Sequence, residues 1–206
     1  MKRRSGTVSA SRRACSRGLG RCWLRLFGWE LQAPPPVIPL KFVFIAAPHT
    51  SGWDLPFMLA TACALGIGIS WLGKHALFEP PIGWLLRRLG GIPVDRRAPH
   101  DVVSRTAEMF RTHERLVLAV PPEGTRRKVK YWRSGFYHIA LQSAVPIGLG
   151  FLDYPRKRCG LGPLIVPTGD VRHDMDSIRV FYREIHGKHP TLEGEPRLRE
   201  EDGEPF

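Results

Sequence analysis

The chain has 206 residues, enough for one domain with a substantial buried core and short for two, and its 43% hydrophobic and 24% charged residues are the composition of a globular protein. A formal net charge of +12 points to an anionic partner, whether nucleic acid, anionic lipid or a phosphorylated substrate, and charge alone does not choose among them. The four cysteines (Cys15, Cys22, Cys63, Cys159) form no C-x-x-C pair, which sets aside zinc and redox work and reads as reduced thiols in a cytoplasmic protein.

From Met1 to Trp29 there are eight basic residues (Lys2, Arg3, Arg4, Arg12, Arg13, Arg17, Arg21, Arg25) and no acidic one, so residues 1–36 read as a basic arm holding most of the excess charge. No secretory signal is expected, because no uninterrupted apolar segment and small-residue cleavage site follow the arginines; an Arg- and Ser-rich, acid-free start also fits an organellar transit peptide. "CWLRLFGWEL" (Cys22 to Leu31) predicts a short helix with two readings. Its Trp, Phe and Arg residues suit a membrane interface, and they suit a helix packed on the domain equally well. "APPP" (Ala33 to Pro36) is a rigid break, since proline cannot continue a helix.

Beyond the break, "KFVFIAA" (Lys41 to Ala47) predicts a buried strand, Gly52 to Leu65 a helix and "GISWLG" (Gly68 to Gly73) another strand. Leu55 to Gly73 is uncharged for 19 residues, close to the ~20 that cross a bilayer, but Pro56, Gly66, Gly68 and Gly73 break it, and the reading is a buried helix followed by a strand. Pro81 to Leu89 predicts a short helix stopped by Gly90 and Gly91, then a short strand; Asp101 predicts the cap of a helix running to about Arg115. "LVLAV" (Leu116 to Val120) is a strand, Gly135 to Ala144 a helix, "VPIGLGF" (Val145 to Phe151) a strand and Met175 to His186 a final helix. Such alternation predicts a single α/β domain with a largely parallel central sheet flanked by helices, over residues 37–190; residues 191–206 are polar, charged and expected to be disordered.

In open α/β sheets, sites gather beyond the carboxyl ends of the strands, and three segments fall there. The first is "HTSGWD". His49 and Asp54 can meet if the chain turns at Thr50 to Gly52, the carboxylate fixing the tautomer and leaving the other imidazole nitrogen as a general base. The same letters fit a capping box, with Ser51 on the first-turn amides and Asp54 reaching back. No G-x-S-x-G elbow makes a serine a nucleophile. The second is "GGIPVDRR" (Gly90 to Arg97), where a guanidinium can hold a phosphate bidentately or pair locally with Asp95. The third is "PPEGTRRKVKYWRSG" (Pro121 to Gly135), a basic loop suited to a phosphate-bearing substrate and nearly as well to a surface turn. His173, His186 and His189 lack metal-ligand spacing, and the core carries no nucleic-acid-binding motif, so neither a metal nor nucleic acid is expected.

The order "HTSGWD", "GGIPVDR", "PPEGTR", "VPIGLG" resembles the glycerolphosphate and lysophospholipid acyltransferase family, which includes the 1-acylglycerol-3-phosphate acyltransferases, over roughly Phe42 to Gly150. The resemblance implies His49 as general base on an acceptor hydroxyl with Asp54 as its orienting partner. It further implies Arg96 on the acceptor phosphate, Glu123, Gly124, Thr125 and Arg126 completing the acceptor site, and Lys74 in "GKHALF" as an added basic residue. The hydroxyl would attack an acyl thioester directly, with no cofactor beyond acyl-CoA or acyl carrier protein as co-substrate. Pro48 and Pro121 depart from the Asn and Phe frequent there. The expected enzyme is an O-acyltransferase at the cytoplasmic face of an anionic membrane, acting on a lysophospholipid; the alternative is a non-enzymatic anion-binding module built on the basic arm.

Overall fold

A computed structural model describes residues 10–94 and 99–204, with the side chains of residues 10–16, 74 and 99–101 left aside. Seven strands form one sheet: β1 (Glu30–Leu31), β2 (Lys41–Ala47), β3 (Ile69–Lys74), β4 (Gly91–Val94), β5 (Leu116–Val120), β6 (Ile147–Asp153) and β7 (Arg158–Ile165). Their order is β1-β7-β6-β2-β5-β3-β4, parallel throughout except for the β6–β7 pair. This is the α/β architecture expected. β2 and β5 fall on the residues predicted for them, because a strand covered on both faces reads as a continuous apolar run.

The pleat of β2 divides the core. Val43, Ile45 and Ala47 face one side with Leu118, Ile147 and Leu149, where α4 (Pro99–Thr112), α5 (Gly135–Ser143) and α6 (Val171–Tyr182) supply Phe110, Phe136, Tyr137, Met175 and Ile178. Phe42 and Phe44 face the other side with Val117 and Leu161, beneath Met58 and Leu65 of α2 (Asp54–Leu65). A side chain on Gly150 of β6 would collide with the Phe44 ring, 2.1 Å from an added Cβ, so the glycine is the space that the phenyl occupies.

Several boundaries differ from expectation. α1 spans Ala10–Leu26 rather than starting at Cys22, and it lies along α2 at Gly20, where an added Cβ would stand 2.5 Å from the Ala60 carbonyl oxygen. Both readings of its aromatic end hold in part: Leu24 and Trp29 are buried against Phe57, Ala60 and Ala64, whereas Leu19, Trp23, Leu26 and Phe27 face outward. α3 is confined to Gly83–Arg88, after a 3-10 turn at His75–Phe78. α4 begins at Pro99, ahead of Asp101, so Asp101 lies within the helix and is not its cap. α6 begins four residues before Met175, capped by Asp170, whose carboxylate accepts from His173 N at 3.1 Å; His186 lies beyond it.

β7 was not expected, because Gly160, Gly162 and Pro163 disguise it as loop. The expected disorder from residue 191 is also corrected. Pro190–Leu192 and Arg199–Asp202 form 3-10 turns and Leu198 is fully buried in the main core. The polar letters that suggested a solvated tail instead find partners: Trp132 N donates to the Arg197 carbonyl at 2.7 Å, and Arg179 pairs with Glu201 at 2.6 Å. The segment is a strap over residues 129–132, where an added Cβ on Gly194 would meet the Val129 carbonyl and the Tyr131 hydroxyl donates to Asp202. Among the described residues no helix is long and apolar enough to cross a membrane.

Candidate active site

β2 ends at Ala47 and α2 begins at Asp54, so the intervening loop is held between two buried elements. Asp54 is 5% exposed. Its Oδ2 accepts from the backbone N–H groups of Thr50 at 2.9 Å and Ser51 at 2.8 Å, which folds the loop back and brings His49 Nδ1 to 3.1 Å from the same oxygen. The two sequence readings therefore merge. Asp54 reaches back as a capping residue would, and the bend it makes delivers the imidazole to it. Ser51 contributes less than a full cap, its Oγ accepting from Trp53 N at 3.2 Å.

A carboxylate only accepts, so Nδ1 is the nitrogen that carries the proton of the neutral imidazole, and in that form Nε2 has the lone pair. Nε2 has no hydrogen-bond partner among the described residues, and the imidazole is 25% exposed. Asp54 Oδ1 accepts from the Tyr154 hydroxyl at 2.8 Å, across 100 residues of sequence.

Glu123 lies directly behind the dyad. It is buried, and its Oε1 accepts from His49 N at 3.0 Å, so the acid of "PPEGTR" holds the backbone of the histidine. Burial pushes its carboxyl up to about 6, against the lowering effect of the His49 bond. Its second oxygen has no partner among the described residues. Gly124 has φ +67°, a conformation glycine adopts without strain, and an added Cβ would meet Arg133 Nε at 2.6 Å. Thr125 is half-buried, and Arg126 is exposed with a guanidinium nitrogen 3.0 Å from where a Cβ on Gly52 would stand. The loop thus brings Glu123 to the backbone of His49 and Arg126 to Gly52.

Two of the expected site residues are not placed. Arg96 lies outside the described residues, and Lys74 is described only as the last residue of β3. His189 is exposed, but its backbone N–H donates to Thr50 Oγ1 at 3.1 Å and so braces the histidine loop from the strap. Neither this contact nor the Tyr154 bond was anticipated. The one available signal for Tyr154 was its position just beyond the carboxyl end of the strand predicted over "VPIGLGF", where sites gather.

A cavity of about 190 Å³ opens beside the dyad, between α2 and the sheet, with His49 and Asp54 in its wall and Phe44, Met58, Trp71, Leu72 and Phe151 making it apolar. A second cavity, of about 610 Å³, shares Ala47 and Pro48 with the first and is walled by Glu123, Trp132, Arg179 and Tyr182.

The model of a protein family described as Acyltransferase matches residues 33–149, which includes the dyad, the "PPEGTR" loop and the start of β6. A 1-acyl-sn-glycerol-3-phosphate acyltransferase of Limnanthes alba is 28% identical over 134 residues, covering 63% of this chain and 47% of that protein. Its namesake in Limnanthes douglasii is 32% identical over 104 residues, covering 48% and 36%. The chain spans less than half the length of these relatives. Among solved structures, the 1-acyl-sn-glycerophosphate (LPA) acyltransferase PlsC of Thermotoga maritima shares the fold with a TM-score of 0.57 and 17% identity, covering 84% of this chain and 79% of that one.

Proposed function

The chain belongs to the acyltransferase family, matched over more than half its length, and from that premise we propose that it transfers a fatty acyl group from acyl-CoA or acyl carrier protein to a hydroxyl of a lysophospholipid such as 1-acylglycerol-3-phosphate. The observation that carries this reading is the His49–Asp54 pair, with Nε2 unengaged beside an apolar cavity. In the proposed step the acceptor hydroxyl gives its proton to Nε2 as its oxygen attacks the thioester carbonyl. The tetrahedral intermediate expels the thiolate, which takes that proton from the imidazolium, and Asp54 stabilises the charge in between. No acyl-enzyme is formed. The acyl chain lies in the apolar cavity, while Arg126, with Arg96 and Lys74, would hold the acceptor phosphate.

A peripheral place on the cytoplasmic face of an anionic membrane belongs to the same reading. Leu19, Trp23, Leu26 and Phe27 stand outward on a segment that also exposes Arg21 and Arg25, and Trp53 of the histidine loop, with Lys188 over its ring, adjoins Phe27. Rings at head-group depth and cations on anionic lipid would hold the cavity next to its substrates.

The test is release of free thiol from long-chain acyl-CoA and acyl carrier protein by wild type and His49→Ala, with a panel of lysophospholipids. Acceptor-dependent release is expected from wild type, falling by about 10²–10⁴-fold in the variant. Silence of the wild type on every donor and acceptor would overturn the reading.

A further inference from the structure

Asp54 is held at both carboxylate oxygens, and the two sets of contacts come from different parts of the chain. Oδ2 takes local donors: the N–H groups of Thr50 and Ser51, and His49 Nδ1. Oδ1 takes the Tyr154 hydroxyl, which arrives from the turn after β6. We propose that Tyr154 is a positioning residue of the dyad, its phenol fixing the plane of the Asp54 carboxylate so that Oδ2 stays turned toward His49. The proposal rests on the general-base reading above and deepens it.

The surroundings of the phenol are built for this. Its ring stands edge-on to Trp29, with centroids 4.9 Å apart, and to Phe57 at 6.2 Å, while Tyr154 N donates to the His186 carbonyl at 2.9 Å. Ring and backbone are both held, so the hydroxyl has little freedom to leave Oδ1. Burial first, and the bond to Asp54 second, hold the phenol well above its ordinary value of 10. It therefore remains a neutral donor wherever the imidazole titrates. Two backbone amides alone leave the carboxylate free to rock about an axis through Oδ2; a third donor on Oδ1 removes that rotation. Trp29 follows α1, so the packing that seats the arm on the domain also seats the phenol.

The charged neighbours of the dyad bear on the test. Glu123 is bonded to His49 N, Arg126 stands beside Gly52, and the His189 backbone holds Thr50. None of them bonds Asp54 Oδ1 among the described residues, so comparison of Tyr154→Phe with wild type cancels their titration.

Tyr154→Phe keeps the ring on Trp29 and Phe57 and removes only the donor. A bond to a charged acceptor that orients a dyad supports an expected loss of about tenfold or more in kcat, with KM for the acyl donor unchanged. With less of its charge taken up by the phenol, Asp54 draws the proton on His49 more strongly, so the acid limb of the pH–rate profile moves up by roughly half a unit to one unit. The His49 ring signal, titrated by NMR without substrate, should show the same upward midpoint. Tyr154→Ala should add a lower Tm to these changes. An unchanged kcat and an unchanged NMR midpoint in Tyr154→Phe would overturn the proposal, with or without a lower Tm. A shifted midpoint in a protein without turnover on any substrate would uphold the positioning role and count against the acyltransferase reading alone.

Discussion

Glu123→Gln isolates the electrostatic cost of the buried acid behind the dyad. Glu123 is 3% exposed, with one oxygen bonded to His49 N and the other without a partner among the described residues. Its carboxyl is raised from the ordinary 4.5 to about 6, chiefly by burial. The folded state thus binds this proton more tightly than the unfolded chain does. Its stabilising effect is complete below pH 4.5 and is lost as the pH rises through about 6. The rise from 4.5 to about 6, at about 1.4 kcal/mol per pH unit, amounts to about 2 kcal/mol. Glutamine keeps an acceptor for His49 N and does not titrate. Urea unfolding of wild type and variant, followed by tryptophan fluorescence at about pH 4 and about pH 7.5, gives the difference in unfolding free energy at each end of the window. Relative to the variant, wild type should lose about 2 kcal/mol from the acidic to the neutral condition. The lowered carboxyls of Asp176 and Asp202 change stability with the opposite sign, at lower pH, and they drop out of the difference. A difference that stays flat, or that grows with pH, would refute the claim that Glu123 is held in a desolvated site.

Two further outcomes follow from the arm. Gly20→Val places a Cβ 2.5 Å from the Ala60 carbonyl oxygen and 2.7 Å from Ala64 N, both backbone atoms that cannot swing aside; about 1–3 kcal/mol of stability should be lost, and an unchanged thermal midpoint by circular dichroism would mean that α1 does not lie on α2. Leu19→Ser with Leu26→Ser alters side chains that are 68% and 75% exposed, so folding should be untouched while partition onto anionic vesicles weakens by about tenfold or more; equal co-sedimentation with wild type would remove the apolar face of α1 from membrane contact.

What the sequence revealed of this site followed from separation along the chain. His49 and Asp54 are five residues apart, and the groups that bend the chain between them, the Thr50 and Ser51 amides, lie inside the same stretch. Local hydrogen bonding is therefore sufficient to specify the dyad, and a short string of letters carries it. β2 and β5 were equally legible, because burial on both faces writes itself as an unbroken apolar run. β7 was not, since its glycines serve partners elsewhere: an added Cβ at Gly162 would stand 2.3 Å from the Phe181 ring, in α6.

Three further braces of the dyad are long-range. Glu123 reaches His49 across 74 residues, Tyr154 reaches Asp54 across 100 and His189 reaches Thr50 across 139. Glu123 belongs to a recurring block of letters and could be recognised without knowing its target. Tyr154 and His189 belong to none, and their partners are set only when β6 takes its register beside β2 and Leu198 closes the strap into the core. Three segments that are far apart in the chain converge on residues 49–54, so tertiary contacts hold in place a bend that local hydrogen bonds already make. A change to β6 or the strap should therefore act on the dyad through orientation, leaving the imidazole and carboxylate themselves intact.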